Sequence, residues 1–272
     1  MEENKIRERE RQEAAKRAAE RKRKRRRRRR IKIFLSFLFI TVITLGILSL
    51  TVFFKIEGIT VKNNSIYESG EIISLSGVET GDNLFALNSS KIEGRLTKAL
   101  PFIKSVELKR QLPSTLNIVI TETKEEVCYY KEGIYYTADR QGKVLMEYSE
   151  QPLDLTFIQT SEEIDVFSTG EYIEYSTAQE KDLIDKHFEL ADYYGYTLNS
   201  VDVRDVYNTT IKIDNRFIVE FGTYTYIELK AAHLNAMIKQ MDAQNTGIID
   251  LKAWTPEKNE AFFSKRSIEG LK

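Results

Sequence analysis

Histidine, cysteine and carboxylate side chains are the groups that most often move protons, attack carbonyls or hold metals. This 272-residue chain carries two histidines, His187 and His233, and one cysteine, Cys128. Each histidine stands singly in a helical pattern and reads as an ordinary surface or boundary residue rather than a ligand. No H-E-x-x-H, G-x-S-x-G, phosphate loop or S-x-x-K run occurs. Cys128 lies in VCYYKEG and reads as a half-buried strand residue, not a nucleophile. With no second cysteine it makes no internal disulfide, so packing alone must hold the fold. The pairs Glu125/Glu126 and Glu162/Glu163 have the residue types of a carboxylate-only glycosidase. A chain that is 30% charged yields such pairs by chance. The sequence therefore reads as non-enzymatic, with no cofactor, no metal site and no small-molecule substrate. A membrane-anchored extracytoplasmic cell-wall hydrolase is the alternative.

Recognition then falls to surfaces. The run IIDLKAW, from Ile248 to Trp254, reads as a closing strand after a long helix. A strand at a sheet edge leaves N–H and C=O groups unpaired, and a partner strand can add to them. Trp254 at the rim is the kind of amphipathic anchor that dominates interfaces; the alternative is that it packs over the last helix. Ile249 and Leu251 alternate, so one face of this strand belongs to a core.

The elements that position this strand can be read upstream. VCYYKEG, IYYTADRQGKVLMEY and DLTFIQT have strand patterns, with Asp139, Arg140, Gln141 and Gly142 as a hairpin turn. Thr177 to Tyr194 reads as a helix opened by Thr177 and Glu180 and closed by Gly195. SVDVRDV, TTIKID and FIVEFG are strands, with Asp214 and Asn215 as a tight turn. Thr225 and Glu228 open the last helix, LKAAHLNAMIKQM. These predict a mixed, β-rich α+β domain over 124–254. The polar tail 255–272 is expected to be flexible.

Residues 55–123 predict a smaller α+β module. KIEGITVKNN suits a short strand. Ser65 and Glu68, then Ser90 and Glu93, have capping-box spacing for two helices, the first ended by Gly77. FIKSVELKR and STLNIVITE then read as strands. The order is β-α-α-β-β, with both helices on one face of a three-stranded sheet. Pro113 cannot donate a ladder hydrogen bond and should mark a strand start; Arg110 reads as a solvated edge charge.

Charge is segregated along the chain. Met1 to Lys32 holds 17 basic and 6 acidic residues, a surplus of eleven, and the rest carries the opposite surplus. Between them, Ile33 to Phe54 is a run of 22 uncharged residues, long enough as a helix for the ~30 Å hydrocarbon core. Its length and the bulky exit Leu50-Thr-Val-Phe-Phe54 favour an uncleaved anchor over a signal peptide. The expectation is a basic cytoplasmic arm (1–32), a transmembrane helix (33–54) and an outward-facing remainder. The arginines at 25–30 set this single-pass orientation, and the basic run from Arg21 to Arg30 is a topology signal or attracts anionic headgroups. The acidic outer part argues against a nucleic-acid ligand.

This order directly beyond a single span resembles a POTRA domain. The segment FKIEGITVKNN…GDNLFALN…LPFIKSVELKRQLPSTLNIVITE is similar to the FtsQ/DivIB cell-division family. Pro101, Arg110, Leu112, Pro113, Leu116, Ile118, Val119 and Glu122 fit the family pattern. Where members commonly have Glu followed by Arg, this chain has Glu122, Thr123 and Lys124. Gly222, Tyr226, Lys230 and Leu234 before IIDLK are similar to the family's β domain. The resemblance implies a septal scaffold at the cell membrane that helps control septal peptidoglycan synthesis. It implies partners of the FtsL and FtsB/DivIC type, docking by position at Ile249, Asp250, Leu251, Lys252, Ala253 and Trp254. An export component of the POTRA type should lead into a membrane barrel, and no series of alternating spanning strands follows.

Overall fold

A computed structural model of the chain describes residues 30–46, 53–161 and 168–266. The arm before residue 30 and the pair Glu162/Glu163 lie outside them. An apolar helix, α1, covers residues 30–46, and its Phe34, Phe37 and Phe39 side chains are exposed. Among the described residues no helix is long and apolar enough to cross a membrane. The expected span over 33–54 is thus described only in part, because residues 47–52 lie outside the described stretches.

The remaining elements confirm an α+β chain rich in strands. They run β1 (Gly58–Lys62), α2 (Ser69–Ser76), α3 (Ser89–Ala99), β2 (Ile103–Gln111), β3 (Thr115–Glu122), β4 (Val127–Lys131), β5 (Ile134–Ala138), β6 (Val144–Tyr148) and β7 (Thr156–Gln159), then α4 (Ala178–Tyr194), β8 (Leu198–Asp202), β9 (Thr209–Ile213), β10 (Phe217–Gly222), α5 (Ile227–Lys239), β11 (Gly247–Asp250) and β12 (Phe262–Lys265). The first five give the expected β-α-α-β-β order. Their three strands form a sheet in the order β1-β3-β2. The other nine form one sheet in the order β12-β11-β10-β9-β8-β7-β4-β5-β6.

Among the described residues two compact units emerge, one from those up to Thr60 with Val78–Leu87 and Lys109–Asn117, the other from Val61–Gly77, Asn88–Leu108 and those from Ile118 onward. In the first, the Ile56 N–H donates to the Asp82 carbonyl at 2.8 Å, and the Leu84 N–H to that of Phe54 at 2.9 Å. Phe54 and Phe85 meet edge to face at 5.1 Å. Ile56, Leu84 and Leu116 are buried there.

The second unit holds the larger core. Leu183, Ile184 and Phe188 of α4 and Ile227, Ala231 and Leu234 of α5 are buried in one cluster with Val201, Ile211, Phe217, Val219, Ile249 and Leu251 of the sheet. The apolar spacing that predicts each helix supplies these residues, and the alternation of β9 and β10 supplies every second strand residue. α4 is bounded as its sequence predicts: Thr177 Oγ1 accepts the Glu180 N–H, and Gly195 ends it at φ 77°. α2 and α3 start differently from the capping-box reading. Ser65 caps nothing, and α2 begins at Ser69 with no side-chain cap; α3 is capped by Asn88, whose Oδ1 accepts the Lys91 N–H at 3.0 Å. An amide oxygen one residue before the first helical turn reaches that N–H as well as a serine does.

Candidate functional site

β11 lies inside the sheet, not at its edge. It pairs parallel with β10 and antiparallel with β12, so both of its backbone edges are occupied. The expectation of unpaired groups on this strand is corrected: the polar tail supplies β12, a strand where a flexible segment was expected. Gly247 permits this pairing, because a Cβ there would lie 2.2 Å from the Ser264 carbonyl oxygen. Phe263 packs on Phe217 with ring centroids 6.2 Å apart, while Phe262 on the same strand is 63% exposed. β12 is the outermost described strand at this end of the sheet.

The six residues expected at the docking site divide by burial. Ile249 and Leu251 are core residues, and Trp254 is buried as well. The Trp254 ring lies over His233 of α5 at 5.3 Å, and its Nε1–H donates to Asn259 Oδ1 at 2.8 Å. That is the packing alternative rather than an exposed anchor. Asp250 is half-buried; Lys252 and Ala253 are exposed. Lys252 Nζ lies 2.5 Å from Glu220 Oε2 and 3.7 Å from Asp250 Oδ2. Hydrogen bonding to Glu220 is the first cause that raises its pKa.

Beneath this strand Lys230, fully buried, donates Nζ–H to the Phe221 carbonyl at 2.6 Å and to the Thr223 carbonyl at 3.3 Å. Burial lowers its pKa, and the charge of Asp250 acts the other way. The lysine thus ties the end of β10 to α5. Gly222, at φ 69°, closes β10, and a Cβ there would press on Lys252 at 3.1 Å.

The residues quoted from the first module brace it locally. Arg110 is not a free edge charge, since its Nε–H donates to the Leu84 carbonyl at 2.7 Å and Nη2–H to that of Leu87 at 3.3 Å. It therefore holds the turn GDNLFALN. Pro113 lies in the β2–β3 turn after a cis peptide bond, two residues ahead of β3. Glu122, at the end of β3, accepts N–H donors from Ser65 at 2.7 Å and Ile66 at 3.0 Å, and the Ser65 hydroxyl. Burial pushes its pKa up, but these donors outweigh it and hold the carboxyl below its ordinary range. Ser65 is thereby spent on Glu122 rather than on a helix cap.

The isolated chemical groups are also placed. Cys128 is buried in β4, and burial, helped by Glu125, pushes its thiol up to about 11. A thiol so held is not a nucleophile. His187 is not a boundary residue: it is 1% exposed on α4, 5.0 Å from the Phe221 ring. Burial pushes it down to about 4, so the neutral ring is the one accommodated. Glu125 accepts the Thr137 hydroxyl and Glu126 meets Arg140 at 3.3 Å, so neither is poised as an acid–base pair. Among the described residues no cluster of three His, Cys, Asp or Glu could hold a metal ion.

With that geometry in place, comparison with known proteins is decisive for the first module. Residues 54–123 match the POTRA domain, FtsQ-type. Over this stretch the chain is similar to cell division proteins FtsQ and DivIB. It is 37% identical over 94 residues to the cell division protein DivIB of Clostridium acetobutylicum, covering 34% of this chain and 37% of that protein. It is 36% identical over 100 residues to the cell division protein FtsQ of Geotalea daltonii, covering 37% and 36%. Against Bacillus subtilis DivIB it is 33% identical over 92 residues, covering 34% and 35%. The likeness spans little more than a third of these curated relatives. In the FtsQ-type POTRA domain, Arg110 and Glu122 are thus the braces of two loops. The sequence did not reveal β12: its signal is only the apolar triplet Ala261 to Phe263 in a polar tail.

Proposed function

We propose that this chain is a non-enzymatic scaffold of cell division, anchored in the cell membrane at the septum and facing outward. It captures single-span division proteins of the FtsL and FtsB/DivIC type and through them helps to control septal peptidoglycan synthesis. The cell-division role is supported by the FtsQ and DivIB relatives and by the FtsQ-type POTRA domain. Anchoring is supported by the 22 uncharged residues from Ile33 to Phe54 and by the exposed phenylalanines of α1. The basic arm is the cytoplasmic side under the positive-inside bias.

One observation carries the docking reading: β12 is the outermost strand at its end of the nine-stranded sheet and presents an exposed Phe262. A partner strand adding there gains main-chain hydrogen bonds, and side-chain contacts at every second residue set its choice. Lys252 and Ala253 lie exposed after the adjacent β11 and extend the surface, while Ile249, Leu251 and Trp254 hold the strand in the core behind it.

The test is capture of FtsL- and FtsB/DivIC-type partners from membranes by full-length chain and by Phe262→Asp. Loss of capture with unchanged folding supports the edge; equal capture removes it. Depletion of the protein should leave cells filamentous or with open septa. Normal septa in depleted cells would remove the division role itself.

A further inference from the structure

The point where the uncharged run gives way to charge is clamped from two sides within the first compact unit. Phe54 is the last of the 22 uncharged residues and Lys55 the first charge after them, so in an anchored chain the hydrocarbon boundary lies at this pair. The turn from Gly81 to Leu87 bonds to one side. The Leu84 N–H reaches the Phe54 carbonyl at 2.9 Å, while Ile56 exchanges bonds of 2.8 Å with the Asp82 carbonyl and the Gly81 N–H. The turn ahead of β3 bonds to the other side, since the Glu57 N–H donates to the Ser114 carbonyl at 2.8 Å and the Ser114 hydroxyl to Glu57 Oε2 at 2.8 Å. Successive residues of an extended segment point their backbone groups to opposite edges, so Ile56 and Glu57 engage different turns.

The exposed apolar surface of this unit gathers at the same end. Outside α1, the large apolar side chains left exposed among its described residues are Phe53 at 69%, Phe85 at 51% and Leu112 at 56%. Phe53 adjoins Phe54, the Phe85 ring meets the Phe54 ring edge to face at 5.1 Å, and Leu112 stands two residues before Ser114. Phe85 is also held in place, because its N–H donates to Asn83 Oδ1 at 2.8 Å while Arg110 fixes the carbonyls of Leu84 and Leu87. Single exposed apolar residues are ordinary on a soluble surface; a group at one end, rigidly presented, marks a surface that is covered.

We propose that lipid covers it: this end of the first module rests in the membrane interface, with Phe85 and Leu112 among the headgroups and upper acyl chains beside the exit of the span. Position selects lipid over a protein partner. A ring in contact with Phe54 shares the depth of Phe54, and Leu112 is tied to a residue only three places further on. Apolar and aromatic side chains at that depth are stabilised by the boundary between acyl chains and headgroups. A span alone lets a module swivel about the membrane normal and tilt; contacts on both sides of the exit hold one tilt. The inference rests on the anchoring proposed above and is independent of the β12 edge.

The test places a nitroxide on single introduced cysteines of the full chain, in vesicles of phosphatidylcholine and phosphatidylglycerol. The sites are Phe85→Cys, Leu112→Cys and, as control, the exposed Thr60→Cys in β1, roughly 20 Å of extended chain beyond Phe54. Cys128 stays unlabelled, being buried with its thiol pushed up to about 11. Collisions with oxygen, which partitions into acyl chains, are compared with collisions with a water-soluble nickel chelate. The oxygen-to-chelate ratio at residues 85 and 112 should exceed that at residue 60, and Leu112→Asp should lower the ratio at residue 85. Ratios at 85 and 112 equal to that at 60, or a ratio at 85 that Leu112→Asp leaves unchanged, overturn the proposal. A nitroxide at residue 85 shielded from both reagents puts protein over this end and overturns it as well. Alkaline carbonate washing separates the two readings: a chain that washes off refutes the anchoring itself, and a chain that stays on with those ratios refutes only the lipid contact.

Discussion

Lys143 donates its Nζ–H to the Ile103 carbonyl at 2.7 Å from a fully buried position just ahead of β6. A second bond, at 2.8 Å, goes to the Thr97 carbonyl in the last turn of α3. Burial lowers the lysine's pKa while the charge of Asp139 opposes it. The cation thus meets oxygen dipoles where a helix C-terminus presents negative character. Asp139 also shapes the approach, since its Oδ1 accepts the N–H groups of Gln141 and Lys143. One hairpin turn therefore both reverses the chain and aims a lysine at α3 and β2.

Replacing Lys143 by Met keeps the stem and removes the donors. One buried and one half-buried carbonyl then lose their partner, and the expected loss is about 2 kcal/mol of stability. Urea unfolding of wild type and Lys143→Met measures it. A midpoint unchanged within error would show that the carbonyls find other donors.

His187 sets a pH dependence whose sign follows from its burial. Its folded pKa of about 4 lies below the ordinary 6.5, so the unfolded chain binds the extra proton between these values. Stability is full above pH 6.5 and falls as pH drops towards 4. Between pH 7.5 and pH 5 the loss should be about 2 kcal/mol. His187→Phe should flatten this limb in paired denaturation curves, and an unchanged slope would assign it to other groups.

Glu122 acts at lower pH. Its carboxyl is held below the ordinary 4.5, so the stability it contributes is present above that value and is lost as pH falls through the folded pKa. In Glu122→Gln the Ser65 and Ile66 donors lose a charged acceptor, and the acid limb below about pH 4.5 should become shallower. Backbone amide exchange at Ser65 and Ile66 should rise in the variant. Protection equal to wild type would mean that another group holds this loop.

How much of this could be read from the chain depended on the range of the interactions. The order of helices and strands follows from spacing that is local, and Thr177, Gly195 and the Asp139 turn behave as their residue types dictate. Ser65 failed as a cap because Glu122, 57 positions away, claims it. His187 and Lys230 look solvent-facing by type and are buried by neighbours that no helical spacing names. β12 was hidden for a related reason: four residues with no alternation become a strand only because β11 offers them an edge.

Gly247 provides the last prediction. In β11 it sits opposite Lys265 of β12, and a Cβ would come within 2.2 Å of the Ser264 carbonyl oxygen and 2.9 Å of the Phe263 ring. The backbone oxygen has no rotamer to escape into, so even alanine must push β12 away. Gly247→Ala should therefore detach β12 and leave the β10–β11 pairing in place, because Ile249 and Leu251 remain anchored in the core. Hydrogen exchange at 262–265 should quicken by at least about tenfold, with a global loss of about 1–3 kcal/mol. Capture of a partner strand by the variant then reads the docking surface directly. If the partner adds to β12, capture falls with β12 detached. If capture instead rises, the partner takes the β11 edge that β12 otherwise occupies.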